Sequence, residues 1–199
     1  MSPAKRMPRT IVDPPFTRNM FSETGAWTWV WAVLRVYVGY EWLAAGWHKI
    51  TGTGWVDGGA ALKGFWEKAV TIPAAPAKAA ITYDWFRAFL QALLDANAYG
   101  WFAKLIAYGE LLVGIGLILG AFVGIAAFFG ALMNFNFMLA GSASSNPVLF
   151  LGAIFLMLAW KTAGYWGADR WLLTRLGTPW SVTLTHDAAA NPLGRRNVS

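Results

Sequence analysis

The chain has 199 residues, 57% hydrophobic and 13% charged, against about 45–50% and 25% in an average soluble domain. That balance argues against a soluble globular protein or a disordered chain, and the absence of Cys removes disulfides, thiolate metal sites, thiolate-held iron–sulfur clusters and catalytic thiols. The net charge of +6 comes from 16 Lys/Arg against 10 Asp/Glu, but the bases form no single patch of the kind that binds nucleic acid.

Residues 1–26 contain Pro3, Pro8, Pro14 and Pro15 and no apolar run. They predict a short irregular tail rather than a cleaved signal peptide. Residues 27–47, WTWVWAVLRVYVGYEWLAAGW, supply the roughly 20 apolar positions that a spanning helix needs. Three more segments qualify at 101–119, 121–140 and 147–166. Gly114, Gly116, Gly120 and Gly124 form a small-residue row within and between spans, which permits close helix approach and is the wrong context for a phosphate loop.

The connection 48–100 is more than a linker. Residues 83–96, YDWFRAFLQALLDA, set Trp85, Phe86, Phe89, Leu90, Leu93 and Leu94 on one helical stripe. A second amphipathic piece at about 59–70 carries Leu62, Phe65, Trp66 and Val70, with Pro73 and Pro76 between the two. Both pieces predict short helices that lie on the membrane surface or fold over the bundle mouth. The expected fold is therefore all-α: a four-helix transmembrane bundle, 27–172, with short amphipathic helices capping its outer face.

Orientation follows from the bases. Lys5, Arg6, Arg9 and Arg18 precede the first span, Arg170, Arg175, Arg195 and Arg196 follow the last, and the 141–146 connection, GSASSN, has none. The positive-inside bias puts both tails, 1–26 and 173–199, in the cytoplasm of a multi-pass protein of the inner or plasma membrane. The 48–100 loop has five Lys/Arg against four acids, but long loops weigh less in that rule.

Ionisable groups inside spans cost several kcal/mol unless paired or wetted, so each is a candidate site residue. Counting about 1.5 Å per residue puts Arg35 and Glu110 at similar depth, as the best pair in the chain. Nearer the outside lie Glu41, Lys104, Asn134 and Asn136, followed by His48 and Lys49. Tyr37, Glu41 and His48 share a helix face that could line a polar cavity. Glu110, Glu41 and His48 are the candidates for proton exchange. Arg35, Lys49, Tyr37, Lys104, Asn134 and Asn136 are the candidates for binding or charge stabilisation. A purely structural reading of these groups stands beside the chemical one. The two histidines, His48 and His186, fall on opposite sides, so no bound metal is expected, and no nucleotide motif is present.

Four pieces in order give a family resemblance: GYEWLAAGWHKITG after Arg35, YGELLVGIGLILG, NFNFMLAGSASSNP and KTAGYWGADRWL. Together, from about Arg35 to Leu172, the chain resembles the DoxX family of small four-helix membrane proteins. That family includes the DoxD-type membrane subunit of thiosulfate:quinone oxidoreductase. The resemblance implies quinone-linked redox chemistry, a lipid-embedded chain and a second redox subunit. It carries over Arg35, Gly46, His48, Lys49, Glu110, Asn134, Asn136, Asn146 and Asp169. A non-catalytic anchor or assembly subunit of a redox or oxidative-stress complex is the rival expectation. A small transporter is weaker, since no inverted repeat is evident.

Overall fold

The computed structural model describes residues 13–176, and among these every regular element is a helix. In chain order they are α1 (Pro15–Phe21), α2 (Trp27–Thr51), α3 (Ala60–Val70), α4 (Asp84–Asp95), α5 (Tyr99–Leu119), α6 (Val123–Leu139), α7 (Asn146–Leu158) and α8 (Asp169–Arg175). α5 is long and apolar enough to cross a membrane. α6 and α7 are apolar but shorter, with 17 and 13 residues. α2 has 25 residues, interrupted by Arg35, Glu41 and Lys49.

Glycine sets the closest packing in the bundle. A Cβ at Gly46 of α2 would stand 2.5 Å from the Leu111 backbone nitrogen of α5, and one at Gly114 would stand 2.5 Å from that of Leu43. Both sites admit only hydrogen, so the two backbones touch, and the contact fixes the register. Gly39 sits against Leu117 and Ile118 in the same antiparallel run. α6 and α7 pack beside this pair around a core of Trp31, Val38, Trp42, Leu117, Ala127 and Leu156.

A second core lies under the cap. Leu62 and Trp66 of α3, Ile81, and Phe86 and Leu90 of α4 close over Ala103 and Ile106 of α5. The cap helices are thus folded onto the end of the bundle. The predicted six-residue stripe on α4 divides: Phe86 and Leu90 point inward, whereas Trp85 and Phe89 are exposed. Phe137 packs against both cores.

Two predicted boundaries are corrected. Pro15 stands in the first turn of α1, where its missing N–H costs nothing, so part of the expected tail is helical. Trp31 Nε1 donates to the Met20 carbonyl at 2.8 Å and docks that helix. The fourth predicted span runs to 166, but α7 ends at Leu158 and residues 160–166 form turns. Gly164 lies in that segment so close to Asp169 that no Cβ would fit. The tail residues 177–199, with His186, lie outside the described residues.

Candidate functional site

The tight α2–α5 contact brings one face of α2, carrying Trp42, Ala45 and Lys49 at spacings of three and four, against Glu110 of α5. Lys49 Nζ donates to Glu110 Oε2 at 2.6 Å. The Glu110 side chain is 1% exposed and that of Lys49 is 17% exposed. Lys49 also lies over the Trp55 ring, 4.9 Å from its centroid. The pair borders a cavity of about 300 Å³. Glu41, Phe65, Phe137 and the Ser142–Asn146 loop complete its walls. Asn146 Nδ2 is bonded to the Ser142 carbonyl at 2.9 Å, which shapes that loop. The cavity therefore holds one cation, two carboxylates and several neutral polar groups.

The expected Arg35–Glu110 pair does not form. Arg35 lies sixteen residues from the C-terminal end of α2, while Glu110 lies eleven from the N-terminal end of α5. The two helix ends are not level: Gly46 packs on Leu111 and Gly39 on Leu117, so Arg35 lies about 18 Å along the bundle from Glu110. Lys49 reaches Glu110 instead, because α2 continues to Thr51 and keeps Lys49 on the helix.

Arg35 serves the other end of the bundle. Its Nη1 donates to the carbonyls of Leu117 and Ile118 at 2.7 and 2.6 Å, and Nη2 donates to that of Trp166 at 3.0 Å. A cation there supplies donors to carbonyls in the last turn of α5 and meets the negative end of its dipole. Asp169 does the converse for α6, accepting from the backbone N–H groups of Phe122 and Val123 at 2.5 and 2.9 Å. Burial pushes the Asp169 carboxyl above its ordinary range, against the lowering pull of those two N–H groups and of Arg35. Asp169 is marked in the sequence by the resemblance alone; its capping role needs the turn geometry.

The remaining candidates scatter. Tyr37 and His48 share the face predicted with Glu41, but that face turns outward and both are exposed, leaving Glu41 at the cavity edge. Lys104 is exposed and lines neither of the two cavities described here. Asn136 donates to the Leu132 carbonyl at 2.8 Å and borders a different, apolar cavity. Asn134 is fully buried, and among the described residues neither of its amide atoms finds a hydrogen-bond partner. Sequence reasoning missed Trp42, Trp55 and Ser142, Ser144 and Ser145 as cavity walls. The serines were legible as a polar interruption between two spans, whereas the indoles look like any other aromatic of the bundle.

The second cavity, about 410 Å³, lies beneath α3 and α4 against α5 and α6. Its wall is almost wholly apolar, and it shares Phe65 and Phe137 with the polar cavity. Among the described residues no three His, Asp or Glu side chains group as metal ligands. No family model, curated protein or solved structure matches the chain.

Proposed function

We propose that the chain is a multi-pass membrane protein that binds a quinone as the membrane subunit of an oxidoreductase. α2, α5, α6 and α7 cross the bilayer, the cap lies outside and both termini are cytoplasmic. An apolar exterior contributed by four helices supports the membrane placement. Val33, Leu112, Ile125, Phe128 and Leu151, from four helices, are all exposed. Soluble monomers rarely expose such a band. Fewer than half of the residues in the apolar window of α5 are buried, unlike the core helix of a soluble protein. α6 and α7 are only about 25 and 20 Å long. The aromatic segment of Trp160, Tyr165 and Trp166 carries the last crossing to the interface.

The Lys49–Glu110 pair at the polar cavity carries the functional reading. Quinone reduction adds two electrons and two protons to give quinol. The electrons come from a partner redox subunit, as this chain has no thiol for the task. Lys49 Nζ stabilises negative charge growing on a ring oxygen, and Glu110, with Glu41 at the rim, passes protons to it. The resemblance to the DoxX family points to thiosulfate:quinone oxidoreductase as the assembly type. Quinone extracted from protein purified in mild detergent tests this. Glu110→Gln and Lys49→Met should lower occupancy at equal folded protein.

A docking subunit without chemistry is the second reading. It is favoured by the near-complete burial of Glu110, which also suits a pair that only locks α2 to α5. It predicts that no variant in the cavity alters quinone content.

A further inference from the structure

The two cavities differ sharply in chemistry and meet at the same two rings, Phe65 and Phe137. The apolar one has a volume typical of small-molecule sites. Its polar groups are few, the Asn136 amide, which commits one N–H to the Leu132 carbonyl, and the Trp66 indole, so a strongly polar ligand would be desolvated there with little return. The polar cavity has the reverse defect for a hydrocarbon, which would strip water from Lys49 and the carboxylates. Consecutive residues of α5 divide the work: Glu110 borders the polar cavity and Gly109 the apolar one.

We infer that the cavity beneath α3 and α4 is the tail chamber of the same site. It takes the hydrocarbon chain of a single-chain amphiphile whose uncharged ring occupies the Lys49–Glu110 cavity, the chain crossing at Phe65 and Phe137. This rests on the quinone reading of the polar cavity and adds the part of the molecule that recognises the chain. Two carboxylates to one lysine disfavour an anionic phosphate head. Gly109 has room for a side chain, since a Cβ there would meet Met133 Sδ, another wall of the chamber, at an ordinary 3.7 Å. A longer side chain at this position fills the chamber without entering the polar cavity.

The test uses two probes on the purified full-length chain: a methyl-substituted benzoquinone and the same ring with a decyl chain. Binding is read by quenching of the tryptophan fluorescence. The decyl probe should bind at least about tenfold more tightly than the bare ring, equivalent to about 1.4 kcal/mol. Gly109→Leu should abolish most of that ratio while leaving the affinity for the bare ring within about twofold. Phe89→Ala, at the exposed rim of the chamber, is the second variant and should lower only the decyl affinity. Equal affinities for both probes in the wild type, or an unchanged ratio in both variants, overturns the inference and leaves the chamber to a bilayer acyl chain. Failure of both probes to bind the wild type overturns the quinone reading itself.

Discussion

Arg35 and Asp169 cap the two ends of one short turn. The guanidinium holds the last carbonyls of α5, the carboxylate holds the first N–H groups of α6, and only residues 120–122 lie between the helices. Backbone bonds from Ala168 and Asp169 to the carbonyls of Leu119 and Gly120, at 3.0 and 2.8 Å, fasten α8 to the same turn. Asp169→Ala leaves two N–H groups without partners and should cost about 1–3 kcal/mol. A thermal shift in detergent measures it.

The pH dependence of that cap has a definite sign. Burial raises the Asp169 carboxyl, so the folded chain keeps this proton to higher pH than the unfolded chain. The site's contribution to stability is therefore greatest below the ordinary value of 3.8 and falls as pH rises through the folded value. Asp169→Asn does not titrate. The stability of the wild type relative to this variant should decline from acid toward neutral pH and then level off. A difference that grows with pH would reverse the assignment.

The Lys49–Glu110 contact predicts strong coupling. Breaking a buried pair costs about 3–5 kcal/mol, because one charge is left without its partner. Glu110→Gln and Lys49→Met should each destabilise, and the double variant should cost less than the sum. The matching cycle on Arg35 and Glu110 should be additive, since among the described residues the Arg35 hydrogen bonds all go to backbone carbonyls far from Glu110. Additivity in the Lys49 cycle would remove the pair from the account.

Two glycine substitutions should have opposite signs. Gly46→Ala drives a Cβ into the α5 backbone and should cost about 1–3 kcal/mol. Gly64→Ala, on α3, meets nothing within 4 Å and should stabilise by about 0.5–1 kcal/mol. Unfolding midpoints of the two variants, taken side by side, decide the point.

Topology can be read directly, because the chain has no Cys of its own. Lys68 on α3 and Arg170 on α8 are both exposed. In intact cells an impermeant thiol reagent should label Lys68→Cys and spare Arg170→Cys. Labelling of the second variant alone would invert the proposed orientation.

The helices were legible where apolar runs end at glycine or a polar stretch. Hence α2, α5 and α6 begin or end within a few residues of expectation. The end of α7 was not, because Ala159, Trp160, Ala163, Tyr165 and Trp166 continue the apolar run, while local turn bonds and the close approach of Gly164 to Asp169 replace the helix. The site was half legible. Lys49, Glu110 and Glu41 stood out as charges in apolar surroundings, and all three border one cavity. Their pairing was hidden by four residues: a first helix ending at 47 strands Lys49 outside, whereas one ending at Thr51 brings it to Glu110. Tyr37 and His48 obeyed the helical period but lay on its outward side, which periodicity cannot distinguish from the inward one.

Phe137 belongs to both hydrophobic cores, and apart from α5 little else joins them. Cap and bundle are then two cooperative units with a narrow joint. Local opening of α3 and α4 exposes a small core of its own and leaves the packing of α6 against α7 in place. Amide hydrogens of α3 and α4 should exchange in a common, faster step than those of α6 and α7. Truncating the ring at Phe137 should widen that gap, because each unit then opens without disturbing the other.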